Sequence, residues 1–265
     1  MANTLQKIYA AKAALLEAEQ EREPYAAVRE RALARAGERR PFLRALQRAG
    51  GAAIVTEIKR ASPSAGLIAR NFDPVATARL YDAAGADAIS VLTERDHFLG
   101  ELDFLDRVRA VTSRPLLRKD FLWTRYHVAQ SAAYGADCFL LILSGMDDEG
   151  VAACMEEARL YDLDVLVEAH DESELQRAIA LGATFIGINN RDLRTLVTDL
   201  AVSQYLLPKV PPGVFAISES GMSSADDIVR LRDAGARGFL IGEALMRSDD
   251  PKSLIESLRR GAVPA

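Results

Sequence analysis

The chain has 265 residues, 49% of them hydrophobic, and sets 33 basic against 38 acidic side chains for a net charge of −5. That length allows one large core or two small ones, and scattered basic residues in an acidic chain argue against a nucleic-acid or membrane-surface partner. The two cysteines, Cys138 and Cys154, have neither metal nor redox spacing and read as reduced fillers of a cytoplasmic protein.

The N-terminus, "MANTLQKIYAAKAALLEAEQ", is charged throughout, unlike a signal peptide, and no apolar run in the chain is long enough to cross a bilayer. Residues 1–48 are rich in Glu, Arg and Ala with amphipathic helical character, which predicts a helical extension packed on the domain that follows. The first strand expected is "AAIVTEIK" at 52–59. The loop behind it, "RASPSAGLIARNFDP", places Ser, Pro and Gly beside Lys59 and suits either a lid or a plain surface loop.

From there a unit recurs. Gly-Ala-X followed by an apolar run starts at Gly85, Gly135, Gly182 and Gly235, at spacings of 50, 47 and 53 residues. Each glycine follows a segment of helical period, such as "VATARLYDAAG" or "ADDIVRLRDAG", so a helix stops at a left-handed glycine and a strand starts at once. The spacing fits two strand–helix units, and the intervening strands are "PLLRK" (115–119), "VLVE" (165–168) and "VFAISE" (214–219). Eight strands therefore end near Lys59, Leu92, Lys119, Ile142, Glu168, Asn189, Glu219 and Gly242. Their near-continuous apolar runs suit parallel strands buried on both faces. Eight such units in about 210 residues predict an α/β fold, a closed (β/α)8 TIM barrel with an N-terminal helical extension, forming a single domain over 1–265.

In such a barrel chemistry sits at the C-terminal strand ends. Residues two apart share a face, so Glu57 and Lys59 point together, as do Leu117 and Lys119, and Leu166 and Glu168. With the apolar member of a pair inside, the charged member lies one layer higher, at the mouth. A single Lys or Glu closing a strand is commonly a solvated edge residue. A ring of Glu57, Lys59, Lys119, Glu168, Glu219 and Asn189 is different, because burying it costs several kcal/mol per ion without partners or a ligand. Lys119 and Glu168, expected roughly 8 Å apart across the mouth, suit general acid–base work. Lys119 alone also suits a Schiff base, and a positive neighbour at Lys59 is expected to depress its pKa for either role.

The loops after strands 7 and 8, "SESGMSS" and "IGEALM", are the places where this fold binds phosphate through backbone N–H groups. Gly221 and Gly242 allow close approach of an anion, and Arg191 is a further anion contact. Phe98 and Phe121 follow strands 2 and 3 and either wall an aromatic pocket or cap the core. His97, His127 and His170 have no metal-ligand spacing, so no metal is expected.

Together these stretches resemble the indole-3-glycerol-phosphate synthase family of tryptophan biosynthesis. The likeness runs over essentially the whole chain. It rests on "EIKRASPSAG" from Glu57, "LTERDHFLGE" from Leu92, "LLRKDF" from Leu116, "LVEAHDESEL" from Leu166, "IGINNRDLRT" from Ile186, "ISESGM" from Ile217 and "LIGEALM" from Leu240. The resemblance implies a carboxy-lyase that takes 1-(o-carboxyphenylamino)-1-deoxyribulose 5-phosphate. Its ring carbon attacks the ribulose carbonyl, CO2 leaves and water is eliminated to form the indole, with no cofactor. It implies Lys119 as general acid, Glu168 as the base of the dehydration, and Lys59 as substrate contact and second acid, with Glu57, Asn189 and Glu219 orienting them. Arg191, Ser220, Gly221, Gly242 and Glu243 fall where the family holds substrate, the last three near its phosphate. Ser62, Pro63, Phe98, Phe121, Leu140, Leu193 and Leu196 fall around the aryl pocket and lid. The partner is a phosphorylated small molecule, and a monomer or weak homo-oligomer is expected.

Four positions depart from the family's usual pattern. Ala65 stands where a lid lysine is common, Glu101 where a serine is frequent, and Thr124 and His127 flank Tyr126 in place of an aspartate and a glutamine. They bear on rate, loop motion and substrate tolerance without removing a proposed catalytic group. Two competing readings remain: a phosphoribosyl isomerase, whose base at the end of strand 1 would be Glu57, and a barrel that grips a sugar phosphate without turnover. The first is disfavoured by Cys138 lying at the start of strand 4, and the second leaves the Lys119–Glu168 pair unexplained.

Overall fold

Left-handed glycines set the rhythm of the chain: Gly85, Gly135, Gly182 and Gly235 take φ of +84°, +83°, +76° and +116°, and a strand opens shortly after each. The computed structural model describes residues 4–50 and 53–262. The strands are β1 Ala53–Ile58, β2 Ala88–Leu92, β3 Leu116–Lys119, β4 Cys138–Ile142, β5 Asp164–Ala169, β6 Phe185–Asn189, β7 Phe215–Glu219 and β8 Gly238–Ile241. All pair in parallel with their sequence neighbours, and β1 joins β8, with Ala53 opposite Gly238 and Thr56 opposite Ile241, to close the barrel. The expected (β/α)8 barrel is the fold. Its strand limits move by about a residue: β3 begins at Leu116, β5 spans Asp164–Ala169 and β7 begins at Phe215. Of the 52–59 strand, Ala52 lies outside the described residues.

Alternation along each strand builds two apolar layers. Val55, Leu117, Leu140, Leu166, Ile217 and Leu240 fill the barrel interior. Their neighbours Ile54, Leu116, Phe139, Val167, Ala216 and Phe239 face the helices. Each such leucine, fully withdrawn from water, contributes on the order of 2 kcal/mol. The helices outside are α4 Pro74–Ala83, α5 Phe104–Arg109, α6 Arg125–Ala133, α7 Asp148–Arg159, α8 Glu172–Ala180, α9 Ala201–Leu206, α10 Ala225–Asp233 and, after β8, α11 Glu243–Arg247 and α12 Pro251–Ala262. Cys138 and Cys154 are buried free thiols, one in each layer.

The N-terminal segment forms α1 Thr4–Arg22, α2 Tyr25–Ala34 and α3 Phe42–Arg48, and it reaches both ends of the barrel. Helix α3 plugs the end where the strands start: Phe42 lies 6.0 Å from the Phe185 ring, and the Leu43 N–H donates to Asp164 Oδ2 at 2.9 Å. Helix α1 crosses the opposite end. Its Leu5 and Ile8 join the barrel interior, Tyr9 packs edge-on to Phe121 and Trp123, and Lys12 Nζ lies 2.6 Å from Asp120 Oδ1.

Candidate active site

The charged layer lies where alternation puts it. Glu57, Lys119, Glu168 and Glu219 sit one inward position above Val55, Leu117, Leu166 and Ile217, and all open on one pocket of about 370 Å³ at the C-terminal ends of the strands. Lys119 Nζ is 2.7 Å from Glu168 Oε2 and 2.6 Å from Glu219 Oε2. Lys59 Nζ is 2.7 Å from Glu57 Oε1. Both carboxylates on Lys119 are 1% exposed, so neither charge has water to fall back on.

Two expectations need correction here. Barrel dimensions alone put Lys119 and Glu168 roughly 8 Å apart, yet they form an ion pair at 2.7 Å. Strand spacing measures backbone separation, whereas the long lysine stem carries its ammonium across the axis. Nor does Lys59 depress Lys119, because Glu57 takes up the Lys59 charge. Burial pulls the Lys119 ammonium down, but Glu168, Glu219 and Glu57 outweigh it and hold it well above the ordinary lysine value. Burial likewise pushes Glu168 up, and Lys119 with His170 hold it well below the usual carboxylate range. Glu219 goes the other way: burial pushes it up, Lys119 opposes, and Glu168 and Glu57 add to the rise. One ammonium thus serves two carboxylates whose proton affinities are driven apart.

Room for these carboxylates comes from missing side chains. A Cβ on Gly187 of β6 would collide with Glu219 Oε1, and a Cβ on Gly242 with Glu57 Oε1. Gly242, expected to serve the phosphate, is therefore also required by the charged ring.

The structure brings every residue expected to act in catalysis or to touch substrate to this pocket. On its apolar side Phe98 and Phe121, with ring centres 6.1 Å apart, stand with Leu140, Leu193 and Leu196. Ser220 and Gly221, also part of its lining, take consecutive left-handed conformations, φ +66° and +86°, as the chain leaves β7. For Ser220 this costs on the order of 1 kcal/mol, a strain typical of functional turns. Gly242 and Glu243 open α11 beside them. Arg191 connects the loops: its Nη1 donates to Ser64 Oγ at 2.5 Å and its Nη2 lies 3.8 Å from Glu243 Oε2. Ser62 and Pro63 belong to a short hairpin, Ala61–Ser62 against Gly66–Leu67, that borders the pocket. Asn189 Oδ1 accepts the Arg191 N–H at 3.0 Å.

Several contributors escape the sequence reading. Leu5 and Ile8 of α1 line the pocket, which helical periodicity cannot reveal because the docking site of a helix is a tertiary property. Ser64 and Arg247 also line it. Asn190 is buried behind it: its Nδ2 donates to Ser218 Oγ and to the Glu219 and Ser220 carbonyls at 2.9, 2.9 and 3.0 Å, pinning the end of β7. His170, two residues past Glu168 and so on the same face of the strand, touches that carboxylate. Among the described residues, no three His, Cys, Asp or Glu side chains are grouped to hold a metal ion. The departures at Thr124, His127 and Glu101 lie outside the pocket. Thr124 caps α6 by accepting the His127 N–H, and the Tyr126 hydroxyl donates to the Glu19 and Glu23 carbonyls of the extension. At Ala65, the N–H donates to Ser62 Oγ at 3.1 Å.

Known proteins resemble this chain in sequence and in fold. A family model described as indole-3-glycerol phosphate synthase matches residues 5–258. Relatives of that description include one from Azospirillum brasilense, 41% identical over 97% of this chain and 99% of its own length. Another, from Laribacter hongkongensis, is 43% identical over 97% and 99%. Among solved structures the barrel superposes on thiamine phosphate pyrophosphorylase from Pyrococcus furiosus with a TM-score of 0.62 at 17% identity, covering 81% of this chain and 96% of that one. It also superposes on orotidine 5'-phosphate decarboxylase from Pyrococcus horikoshii with a TM-score of 0.60 at 10% identity, covering 80% and 100%. These two likenesses concern the fold alone.

Proposed function

This chain belongs to the indole-3-glycerol phosphate synthase family, and we propose that the Lys119 cluster carries out the ring closure. Its activity is that of an indole-3-glycerol phosphate synthase of tryptophan biosynthesis. The observation that supports the assignment of roles is the Lys119 ammonium, held inside the pocket by Glu168 and Glu219 at 2.7 and 2.6 Å.

The substrate in this reading is 1-(o-carboxyphenylamino)-1-deoxyribulose 5-phosphate. Its aryl ring lies toward Phe98, Phe121, Leu140, Leu193 and Leu196, with Leu5 and Ile8 of α1 closing the wall. Its phosphate lies toward Ser220, Gly221, Gly242 and Glu243, with Arg191 as the cation. The pocket volume of about 370 Å³ is in the range for a small ligand.

The ring carbon bearing the carboxylate bonds to the carbonyl carbon, and the carbonyl oxygen takes a proton from Lys119. A lysine stabilised by three carboxylates is a reluctant acid, so transfer is favoured only as negative charge grows on that oxygen. CO2 then leaves, and its bonding pair returns to the ring; this step makes the enzyme a carbon–carbon lyase, specifically a carboxy-lyase. The new hydroxyl departs as water while Glu168 accepts the proton that completes the indole. Lys59 contacts substrate and serves as a second acid, while Glu57, Asn189 and Glu219 hold these groups and the substrate hydroxyls. No cofactor enters the scheme. Among the described residues no helix is long and apolar enough to cross a membrane, and we place the enzyme in the cytoplasm as a monomer or weak homo-oligomer.

Incubation with the carboxyphenylamino-deoxyribulose phosphate tests the reading through indole fluorescence. Turnover is expected. Binding without fluorescence gain would favour the non-catalytic barrel, and isomerisation of a phosphoribosyl substrate would favour the isomerase.

A further inference from the structure

His170 follows Glu168 by two residues and turns toward the same side at the end of β5. Its Nε2 lies 3.2 Å from Glu168 Oε1, an ion-pair contact in which the N–H is not aligned for a good hydrogen bond. Its Nδ1 lies 3.1 Å from Glu174 Oε2, which also accepts the His170 backbone N–H at 2.8 Å. Glu174 is itself held at the start of α8, where its N–H donates to Asp171 Oδ1 at 2.8 Å. Each ring nitrogen therefore faces a carboxylate. A neutral imidazole turns one acceptor lone pair on an anion, whereas the imidazolium sets a positive charge between the two carboxylates. Burial pulls the ring down, but Glu168 and Glu174 raise it to about 10. His170 does not line the pocket.

We propose that His170 is a positioning residue that acts through Glu168: its imidazolium grips Oε1 from behind, presents Oε2 to the pocket and keeps the carboxylate ionised once Lys119 has given up its proton. Without it, Glu168 would lose its remaining close cation at the step in which it must still be a base. The inference rests on the reading of Glu168 as that base. The other groups that face Glu168 are Lys119 from β3, Glu219 from β7, and Tyr9 from α1, with the Glu57–Lys59 pair of β1 acting through Lys119 and Glu219. Among the described residues, Lys119 and His170 are the cations within ion-pair distance of it.

The test is the pH profile of kcat for His170→Asn, with Glu174→Gln and Glu168→Gln alongside. In His170→Asn the acid limb is expected to move up by about 1 to 3 pH units, with kcat falling by about 10- to 100-fold, the usual cost of losing the partner that orients a working side chain, and KM nearly unchanged. Glu174→Gln removes one of the two carboxylates on the ring and should move the acid limb the same way by less. An acid limb that stays put in a folded His170→Asn protein overturns the proposal, even if kcat falls. Should that variant not fold, Glu174→Gln decides: a shifted limb supports the proposal and an unmoved one overturns it. Wild-type turnover in Glu168→Gln would instead remove the base assignment itself, and the positioning role with it.

Discussion

Lys12 of α1 donates to Asp120, the residue after Lys119, at 2.6 Å, which ties the N-terminal helix to the strand end carrying the proposed acid. Asp120 is 1% exposed and also accepts from Thr93 Oγ1 at 2.7 Å and Arg118 Nη2 at 3.2 Å. Burial pushes its carboxyl up, but Lys12 and Arg118 hold it at about 2, below its ordinary 3.8. A depressed carboxylate stabilises the fold above its unfolded pKa. That contribution, about 2 kcal/mol, is lost as pH falls from about 4 through 2.

Lys12→Ala leaves this carboxylate with one fewer cation. Stability at neutral pH should fall by on the order of 3 kcal/mol, and the acid-side loss should begin at a higher pH than in the parent. Urea unfolding across a pH series reads both effects, and superimposable curves for the two proteins would show that the pair is not a structural tie.

Gly187→Ala introduces a single methyl group against Glu219 Oε1. Backbone strain is not at issue, since Gly187 does not have positive φ. The carboxylate must move off the Lys119 ammonium or the strands must part, at about 1 to 3 kcal/mol. We expect kcat to drop at least about tenfold, while circular dichroism remains that of the barrel. Full activity in Gly187→Ala would mean that Glu219 can sit elsewhere without consequence.

Arg191 and Ser64 allow substrate holding to be separated from chemistry. Arg191→Ala removes the cation that joins the loop after β6 to the hairpin after β1, and KM should rise by about 10- to 100-fold with kcat less affected. Ser64→Ala removes only the hydrogen bond and should raise KM by a smaller factor. Steady-state kinetics on both variants check the order; equal effects would make the guanidinium's charge irrelevant to substrate binding.

The barrel was legible because its evidence is local and repeated: Gly85, Gly135, Gly182 and Gly235 each end a helix and open a strand. The charged ring was legible because alternation assigns Glu57, Lys119, Glu168 and Glu219 to one face. Alternation gives direction and not reach, so it does not reveal that the Lys119 stem closes to 2.7 Å from Glu168. Leu5 and Ile8 were hidden because an amphipathic helix announces an apolar face without saying what it covers. The need for Gly187 was hidden for a related reason: its cause is a side chain from the neighbouring strand. The spacing of His170 from Glu168 along the strand points it at the carboxylate, a signal separate from metal-ligand spacing.

The central claim is that the Lys119 ammonium is the acid of ring closure, and turnover by Lys119→Ala measured through indole fluorescence, with substrate binding followed in parallel, tests it most directly. Turnover should be lost while binding stays detectable, because the proposed phosphate contacts follow β7 and β8 and not β3. Indole formation at the parent rate by the folded variant would contradict the claim.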